Sequence, residues 1–509
     1  MQTLLPAALV LMLASAAAAQ PAVDGDLSDW SGVAPLATDP TGDSTGPIDV
    51  TALRVQSRGT RLFVQVDLAT ALNLSSGPAA NTTLRLVVTR STRTLTIDFR
   101  NRRAYLDGST ANTVTWPSIS FSSLPTVSAT RFEMEIETSV IGAVEGSTLG
   151  LNFSGADVLA AGASFTLNDP PAPAPVRRDP ARPACANFRI ASLNTFIDGL
   201  EDPVRRDRFV RLLDSVNADV YVFQEEYNTV QADAQAVINL ADPLDDGAAW
   251  NVVKAGEFVI ATPHPMTAVS LGTAHQAAIV RPAGRDPVLV INTHLKCCGY
   301  IASSEDTQRI SQASGAIASF NAFRAGTLSP ALAGDKDVPA IILGDWNLVG
   351  SSTPYDLWLA SPNPGFSAVP IPHLIGDETW TWAPPSGLGF WPGILDLAAY
   401  DAARMRLVRA FSLDTAELSA GELAALGVQS ADSTASDHRL IVVDLSTGPS
   451  PDLNADGAVS TPDLTLFLGR FGQAAPPGSE PARADFNRDL IVDTADLVTF
   501  LGRFGTTCP

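Results

Sequence analysis

The sequence predicts a multidomain chain: an antiparallel β-sandwich, then an α/β domain, then a small helical tail. Three observations carry this expectation. The chain has 509 residues, and at roughly 100–200 residues per domain that means about three folding units. The hydrophobic pattern changes character at two Pro-rich joints, 169–183 and 448–451. The tail also repeats itself: Asp463–Gly472 reads DLTLFLGRFG and Asp496–Gly505 reads DLVTFLGRFG, the mark of a duplicated supersecondary unit.

The elements follow in order. Residues 1–19 run from an apolar stretch, Leu4 to Leu13, into a small-residue site at Ala17-Ala18-Ala19, the pattern of a cleaved secretory leader. A secreted or cell-surface protein is therefore expected. No later window holds about 18 apolar residues free of charge, so no membrane span is expected. Residues 20–168 alternate with period two, as in Leu62-Phe63-Val64-Gln65-Val66 and Thr83–Val88, between Gly, Asn and Asp turns. That is the pattern of an antiparallel sandwich. The joint at 169–183 is too rich in proline for a helix or a central strand. From 184 to 447 short apolar strands (Arg189–Leu193, Val220–Phe223, Val288–Asn292, Ala340–Leu343, Leu440–Val443) alternate with helical stretches such as Pro203–Val216.

Composition narrows the function. Lys+Arg 33 against Asp+Glu 54 gives a net charge of −21, which disfavours a non-specific nucleic-acid binder or an anionic-membrane anchor. Across 183–447 the count is 16 Lys/Arg against 30 Asp/Glu. Four cysteines in so long a chain exclude a disulfide scaffold.

The tail, 448–509, carries an acidic loop before each repeated helix. The first sets Asp452, Asn454 and Asp456 at alternate places, Gly457 next and Asp463 at the twelfth. Oxygen ligands at these positions, with glycine at the sixth for the sharp turn, wrap one Ca²⁺. The second sets Asp485, Asn487, Asp489 and Asp496 in the same spacing but has Leu490 in the glycine's place, so its turn is strained. Loops followed by one helix each resemble type I dockerin domains. The resemblance implies Ca²⁺-dependent folding and docking to a cohesin-like or cell-surface receptor.

In the middle domain polar residues stand at strand ends, where α/β sites form. They occur in Ser192-Leu193-Asn194, Gln224-Glu225, His294-Leu295, Gly344-Asp345-Trp346-Asn347, Leu395-Asp396 and Ser436-Asp437-His438. Order and residue type resemble the endonuclease/exonuclease/phosphatase superfamily. The resemblance implies a DNase I-like four-layer sandwich of two sheets and a phosphoesterase acting through Mg²⁺ or Mn²⁺. It makes Glu225 the central metal ligand, with Asn194 and Asp437 beside it. Asp345 would activate water, Asn347 and His294 would donate to phosphate oxygens, and His438 would act at the phosphoryl group, oriented by Asp396. AP-endonuclease-like members carry lysine two places after the metal glutamate, where this chain has Tyr227, so an abasic-DNA role is disfavoured. A secreted nuclease, or an exported scaffold with a degenerate site, are the alternatives. Trp380, Trp382, Phe390 and Trp391 form either a substrate wall or core packing. A disulfide from Cys185 to Cys297 or Cys298 would tie the domain's start to the loop after His294.

The opening Val23–Trp30, VDGDLSDW, resembles family 9-like carbohydrate-binding, or DOMON-like, sandwiches. This implies a glycan partner for the first module or, equally, a spacer.

Overall fold

The computed structural model describes residues 22–507 except 74–82, 125, 160, 168–174, 184, 361–364, 449, 455–456, 476–478 and 488. The leader expected at 1–19, Asp456 and Cys508 lie outside the described residues.

The first module packs two antiparallel sheets. One orders its strands Ala37–Thr38, Val50–Arg58, Arg61–Leu72, Ala129–Glu137, Ser122–Leu124. The other orders them Ala163–Thr166, Thr148–Ser154, Arg85–Arg90, Arg93–Asp98, Arg103–Leu106, Thr113–Val114. Alternation puts Leu62, Val64 and Val66 into one core with Leu86 and Val88 of the facing sheet. Both tryptophans of the module are spent on packing. Trp30 is buried and its Nε1 donates to Glu133 (3.1 Å), and Trp116 is fully buried. Neither offers a face on which a sugar ring could stack.

The middle domain holds two six-stranded sheets, and each has one parallel pair flanked by antiparallel strands. In the first sheet Phe188–Asn194 runs parallel to Val220–Gln224, joined by the helix Arg206–Val216. In the second Val288–His294 runs parallel to Ala340–Asp345, joined by the helix Ser304–Arg324. Successive residues of the central strands feed different cores. Phe188, Ile190, Val288 and Val290 pack between the sheets. Ala191 and Leu193 meet the helix Arg206–Val216, and Leu289 and Ile291 meet the helix Ser304–Arg324. Apolar residues on both faces explain the unbroken hydrophobic runs of these strands. The result is a four-layer α/β/β/α sandwich.

The tail folds round the short helices Thr461–Leu468 and Thr494–Leu501, packed through the equivalent rings of Phe467 and Phe500 (5.5 Å, stacked). Its Asp452 pairs with Arg406 of the middle domain. Among the described residues no helix is long and apolar enough to cross a membrane.

One expectation needs correction. Cys297 and Cys298 are free while Cys185 is disulfide-bonded, so the tie from 185 to the 297–298 loop is not made. The sandwich and the α/β domain also share a junction. Trp391 of the latter sits in the sandwich core, and Glu135 of the strand Ala129–Glu137 hydrogen-bonds Glu378 across the junction.

That carboxyl pair makes stability depend on pH. Burial and the neighbouring Glu378 push the Glu135 carboxyl up to about 8 from an ordinary 4.5, against the pull of Arg61 at 2.9 Å. A raised carboxyl holds its proton in the folded state over a range where the unfolded chain has lost it. Folding stability therefore falls as pH rises from about 4.5 through about 8. Thermal melts at pH 5 and pH 8 should show a fall in Tm, and Glu135→Gln should shrink it.

Candidate active site

The site is built where the two sheets present the same end. Parallel register sets Asn194 beside Gln224 and His294 beside Asp345, and antiparallel register sets Asp345 opposite Asp396. Gln224 Nε2 donates to Asn292 Oδ1 (2.6 Å), and Asn292 Nδ2 donates to the carbonyl of Phe223 (2.9 Å), a buried amide link between the sheets. Gly344 lets them close up. Its φ is +138°, and a Cβ there would lie 2.2 Å from the carbonyl oxygen of Thr293 and 3.1 Å from Gln224 Nε2. A side chain has no room.

Asp345 is the centre. Its Oδ1 accepts from the backbone N–H of Asn347 (2.9 Å), and its Oδ2 accepts from the Nδ2 groups of Asn347 (2.9 Å) and Asn194 (3.1 Å). The Nε2 atoms of two histidines face the same Oδ2, His294 at 3.5 Å and His438 at 3.7 Å. Each imidazole is held from behind by a carboxylate at Nδ1: His294 by Glu257 (2.8 Å) and His438 by Asp396 (2.7 Å). Burial alone would depress both imidazoles. Glu257 and Asp345 instead carry His294 up to about 9, and Asp396 and Asp345 carry His438 up to about 10. Burial raises the Asp345 carboxyl to about 6 against the pull of the two imidazoles. The neighbouring carboxylates thus favour the protonated form of both histidines, whose Nε2 atoms are aimed at one carboxylate.

Glu225 stands at the more open side. Its backbone is left-handed (φ +66°), its Oε1 accepts from Asn194 Nδ2 (3.1 Å) and its Oε2 from the N–H of Ile197 (3.1 Å). Asn194 therefore bridges Glu225 and Asp345. Asp437 accepts from Trp382 Nε1 (3.0 Å), and burial, followed by the charge of Glu225, raises its carboxyl against the pull of His438. Ser436 latches this turn to the central strand by donating to the carbonyl of Asn194 (2.6 Å).

All eight middle-domain residues singled out from the sequence (Asn194, Glu225, His294, Asp345, Asn347, Asp396, Asp437 and His438) come together at this end. Asn347 differs in detail from expectation. Both hydrogens of its amide nitrogen are taken, by Asp345 Oδ2 and by the carbonyl of Leu295 (3.1 Å), so it holds Asp345 rather than donating to a phosphate. Glu257 is the residue that sequence reasoning missed. It lies at the turn between the strands Asn251–Ala255 and Phe258–Thr262, and its one signal is a carboxylate at the edge of an apolar strand. The three remaining histidines are not part of the cluster: His264 Nε2 meets Arg285 (3.1 Å), His373 is buried between Glu417 and the carbonyl of Trp380, and burial pushes His275 down to about 3.

The group beside Glu225 is a hard carboxylate, that of Asp437, close enough for Glu225 to raise it. Asn194, expected as a metal ligand, instead turns its Nδ2 to Glu225 and Asp345 while its Oδ1 accepts from the N–H of Phe196 (3.0 Å), so it orients the carboxylates. The carboxylates of Glu225 and Asp437 fit a small divalent cation such as Mg²⁺ or Mn²⁺ and not a soft metal. Carboxylate oxygens also gather within 4.8 Å of one another at Asp39, Asp43 and Asp157 in the sandwich and at Asp485, Asp489 and Asp496 in the tail. The two tail loops share a frame. Asp463 and Asp496 accept from the N–H groups of Asn454 and Asn487, each at 3.0 Å, and Asp452 and Asp485 accept from those of Gly457 and Leu490. Leu490 adopts φ +72°, the left-handed conformation that Gly457 (φ +88°) takes without strain.

Residues 191–438 match the Endonuclease/Exonuclease/phosphatase family. This part of the chain is a domain of that superfamily, whose members are hydrolases acting on phosphoester bonds. Among solved structures, a 3′ phosphatase, NExo, from Neisseria, bound to a product DNA hairpin, is 17% identical, with 50% of this chain and 98% of that one covered and a TM-score of 0.35. An AP endonuclease from Archaeoglobus fulgidus is 15% identical, covering 50% and 98% with a TM-score of 0.33. An endonuclease/exonuclease/phosphatase from Bacteroides vulgatus is 13% identical, covering 51% and 98% with a TM-score of 0.34. No curated protein matches the chain.

Proposed function

We propose that this chain is an exported, divalent-metal-dependent phosphoesterase. One observation carries the reading: two histidines, each backed by a carboxylate, converge on Asp345 Oδ2, and Asn194 ties Asp345 to Glu225. Hydrolysis of a phosphoester needs a base for water, cationic donors for the phosphoryl oxygens and a counter-charge for the anion. Asp345 supplies the base, held by Asn347 and Asn194 in one orientation. His294 and His438 present Nε2–H groups where phosphoryl and leaving oxygens gather negative charge. Glu257 and Asp396 keep those protons on the imidazoles. Glu225, with Asp437, would hold Mg²⁺ or Mn²⁺, which when bound supplies positive charge to the phosphoryl oxygens, and Asn194 orients Glu225 against Asp345.

The acidic surplus of the middle domain favours small or amphiphilic phosphoesters over polyanions. The purified protein with Mg²⁺, offered plasmid DNA, RNA, sphingomyelin, inositol phosphates and bis-p-nitrophenyl phosphate, tests this. Turnover of the small esters above the nucleic acids is expected. Preferred cleavage of DNA or RNA would make it a secreted nuclease. Silence on all five would leave a binding scaffold.

The tail serves as a Ca²⁺-dependent dockerin-like tether in this reading, supported by the shared frame of its two loops and the gathered oxygens of Asp485, Asp489 and Asp496. Because metal binds the folded tail, its binding energy adds to folding. In the full-length protein Ca²⁺ is expected to slow tryptic cleavage at Arg470 and Arg503 at least about tenfold relative to chelator. Equal cleavage with and without Ca²⁺ would remove the tether reading.

A further inference from the structure

The N-terminal sandwich meets the α/β domain at segments that flank the site residues. The first is the stretch 379–394, directly after Glu378 and ahead of Asp396. Trp391 leaves its own domain and inserts among Phe99, Trp116 and Phe121 of the sandwich core, with ring centroids 5.4, 5.8 and 5.8 Å away. The backbone N–H of Trp116 donates to the carbonyl of Gly387 (2.9 Å) and its Nε1 to that of Gly389 (3.3 Å). At the other end of the stretch the N–H of Thr379 donates to the carbonyl of Val23 (3.2 Å). The second segment is 348–350, directly after Asn347. Thr126 Oγ1 donates to the carbonyl of Leu348 (2.6 Å), Asn73 Nδ2 to that of Val349 (2.8 Å), and the N–H of Ser128 to that of Gly350 (3.0 Å).

The inner sides of both segments reach the site. Thr381 Oγ1 accepts from the N–H of Asp396 (2.9 Å), the Thr381 carbonyl accepts from the N–H of Arg439 (2.7 Å), and Trp382 Nε1 donates to Asp437 (3.0 Å). The loop 348–350 continues from Asn347, whose N–H and amide fix Asp345. A buried tryptophan is worth several kcal/mol when truncated, far more than the single hydrogen bonds it backs. The strongest fixed point of the stretch 379–394 is therefore in the sandwich.

We propose that the sandwich is a positioning domain of the enzyme, with Trp391 as its anchor: it sets the places of Asp396, Asp437 and the Asn347–Asp345 turn, and is not a detachable binding module. The inference rests on the phosphoesterase reading for its kinetic consequence but not for its structural one.

Both are tested together by comparing wild type with Trp391→Ala, Trp391→Phe, Thr126→Val and Leu149→Ala. The last is a cavity in the sandwich core, on the strand Thr148–Ser154, that destabilises the sandwich while removing none of the ring contacts or hydrogen bonds that hold the two segments. Hydrogen exchange is the first readout. Trp391→Ala should speed exchange at the amides of Asp396 and Arg439 at least about tenfold, and Thr126→Val should do so at Asn347, while Leu149→Ala leaves all three unchanged. With bis-p-nitrophenyl phosphate and Mg²⁺, Trp391→Ala should lower kcat at least about tenfold with KM within about twofold. Trp391→Phe should recover most of kcat, and Leu149→Ala should retain it. Should Trp391→Ala not fold, Thr126→Val carries the same test. Unchanged exchange at all three amides, or equal effects from Leu149→Ala, overturns the proposal. A wild type inert on every phosphoester overturns the phosphoesterase reading instead, and the exchange pattern still decides the role of the sandwich.

Discussion

Asp345→Asn is expected to lower kcat on any accepted phosphoester by roughly 10²–10⁴-fold, the range for loss of a positioned general base, while KM changes little. Asparagine has the shape to keep the contact to the Asn347 N–H (2.9 Å in the native protein). What it loses is a basic oxygen at Oδ2, the point faced by both imidazoles at 3.5 and 3.7 Å. An effect confined to the transition state appears in kcat and kcat/KM alike. Steady-state kinetics on bis-p-nitrophenyl phosphate measures the split. A preserved kcat with a raised KM would make Asp345 a substrate-binding group and pass the proton to another residue.

Glu225→Gln is expected to reduce Mg²⁺-dependent turnover by about 10²-fold or more, the scale for removing a centrally placed charge from an active site. It should also weaken Mg²⁺ binding measured by calorimetry. Glutamine keeps an oxygen to accept from Ile197 or Asn194, as Glu225 does at 3.1 Å, so Tm should move by only a few degrees. The charge is what changes. A variant that retained more than about a tenth of wild-type kcat would place the cation elsewhere.

Much of the site was legible in the sequence because its residues sit at strand ends, and strand ends can be read from local patterns. Asn194, His294 and Asp345 each close an apolar run, and the resemblance of these motifs, taken in order, to the endonuclease/exonuclease/phosphatase superfamily implied that they share one site. Glu257 was not legible, since a hairpin turn carries it to His294 and no local pattern records that contact. The vicinal pair Cys297-Cys298 invited a bond to Cys185 that the structure does not make, because spacing says nothing of where two thiols meet. The shared core was hidden for a different reason. Trp391 reads as a member of its own aromatic cluster, and its partners Phe99, Trp116 and Phe121 lie in a segment whose alternation describes a complete sandwich without it. Asn347 shows the limit of residue type as a guide, for the amide that could serve a phosphate is already used within the protein.

Asn194 belongs to one sheet and Asp345 to the other, and the Asn194 amide nitrogen joins them beside the buried Gln224–Asn292 link. The catalytic centre is thus a joint between two plates. Sliding one plate by less than an ångström lengthens a 3.1 Å bond past its useful range. The site therefore depends on the alignment of the plates as well as on their cohesion.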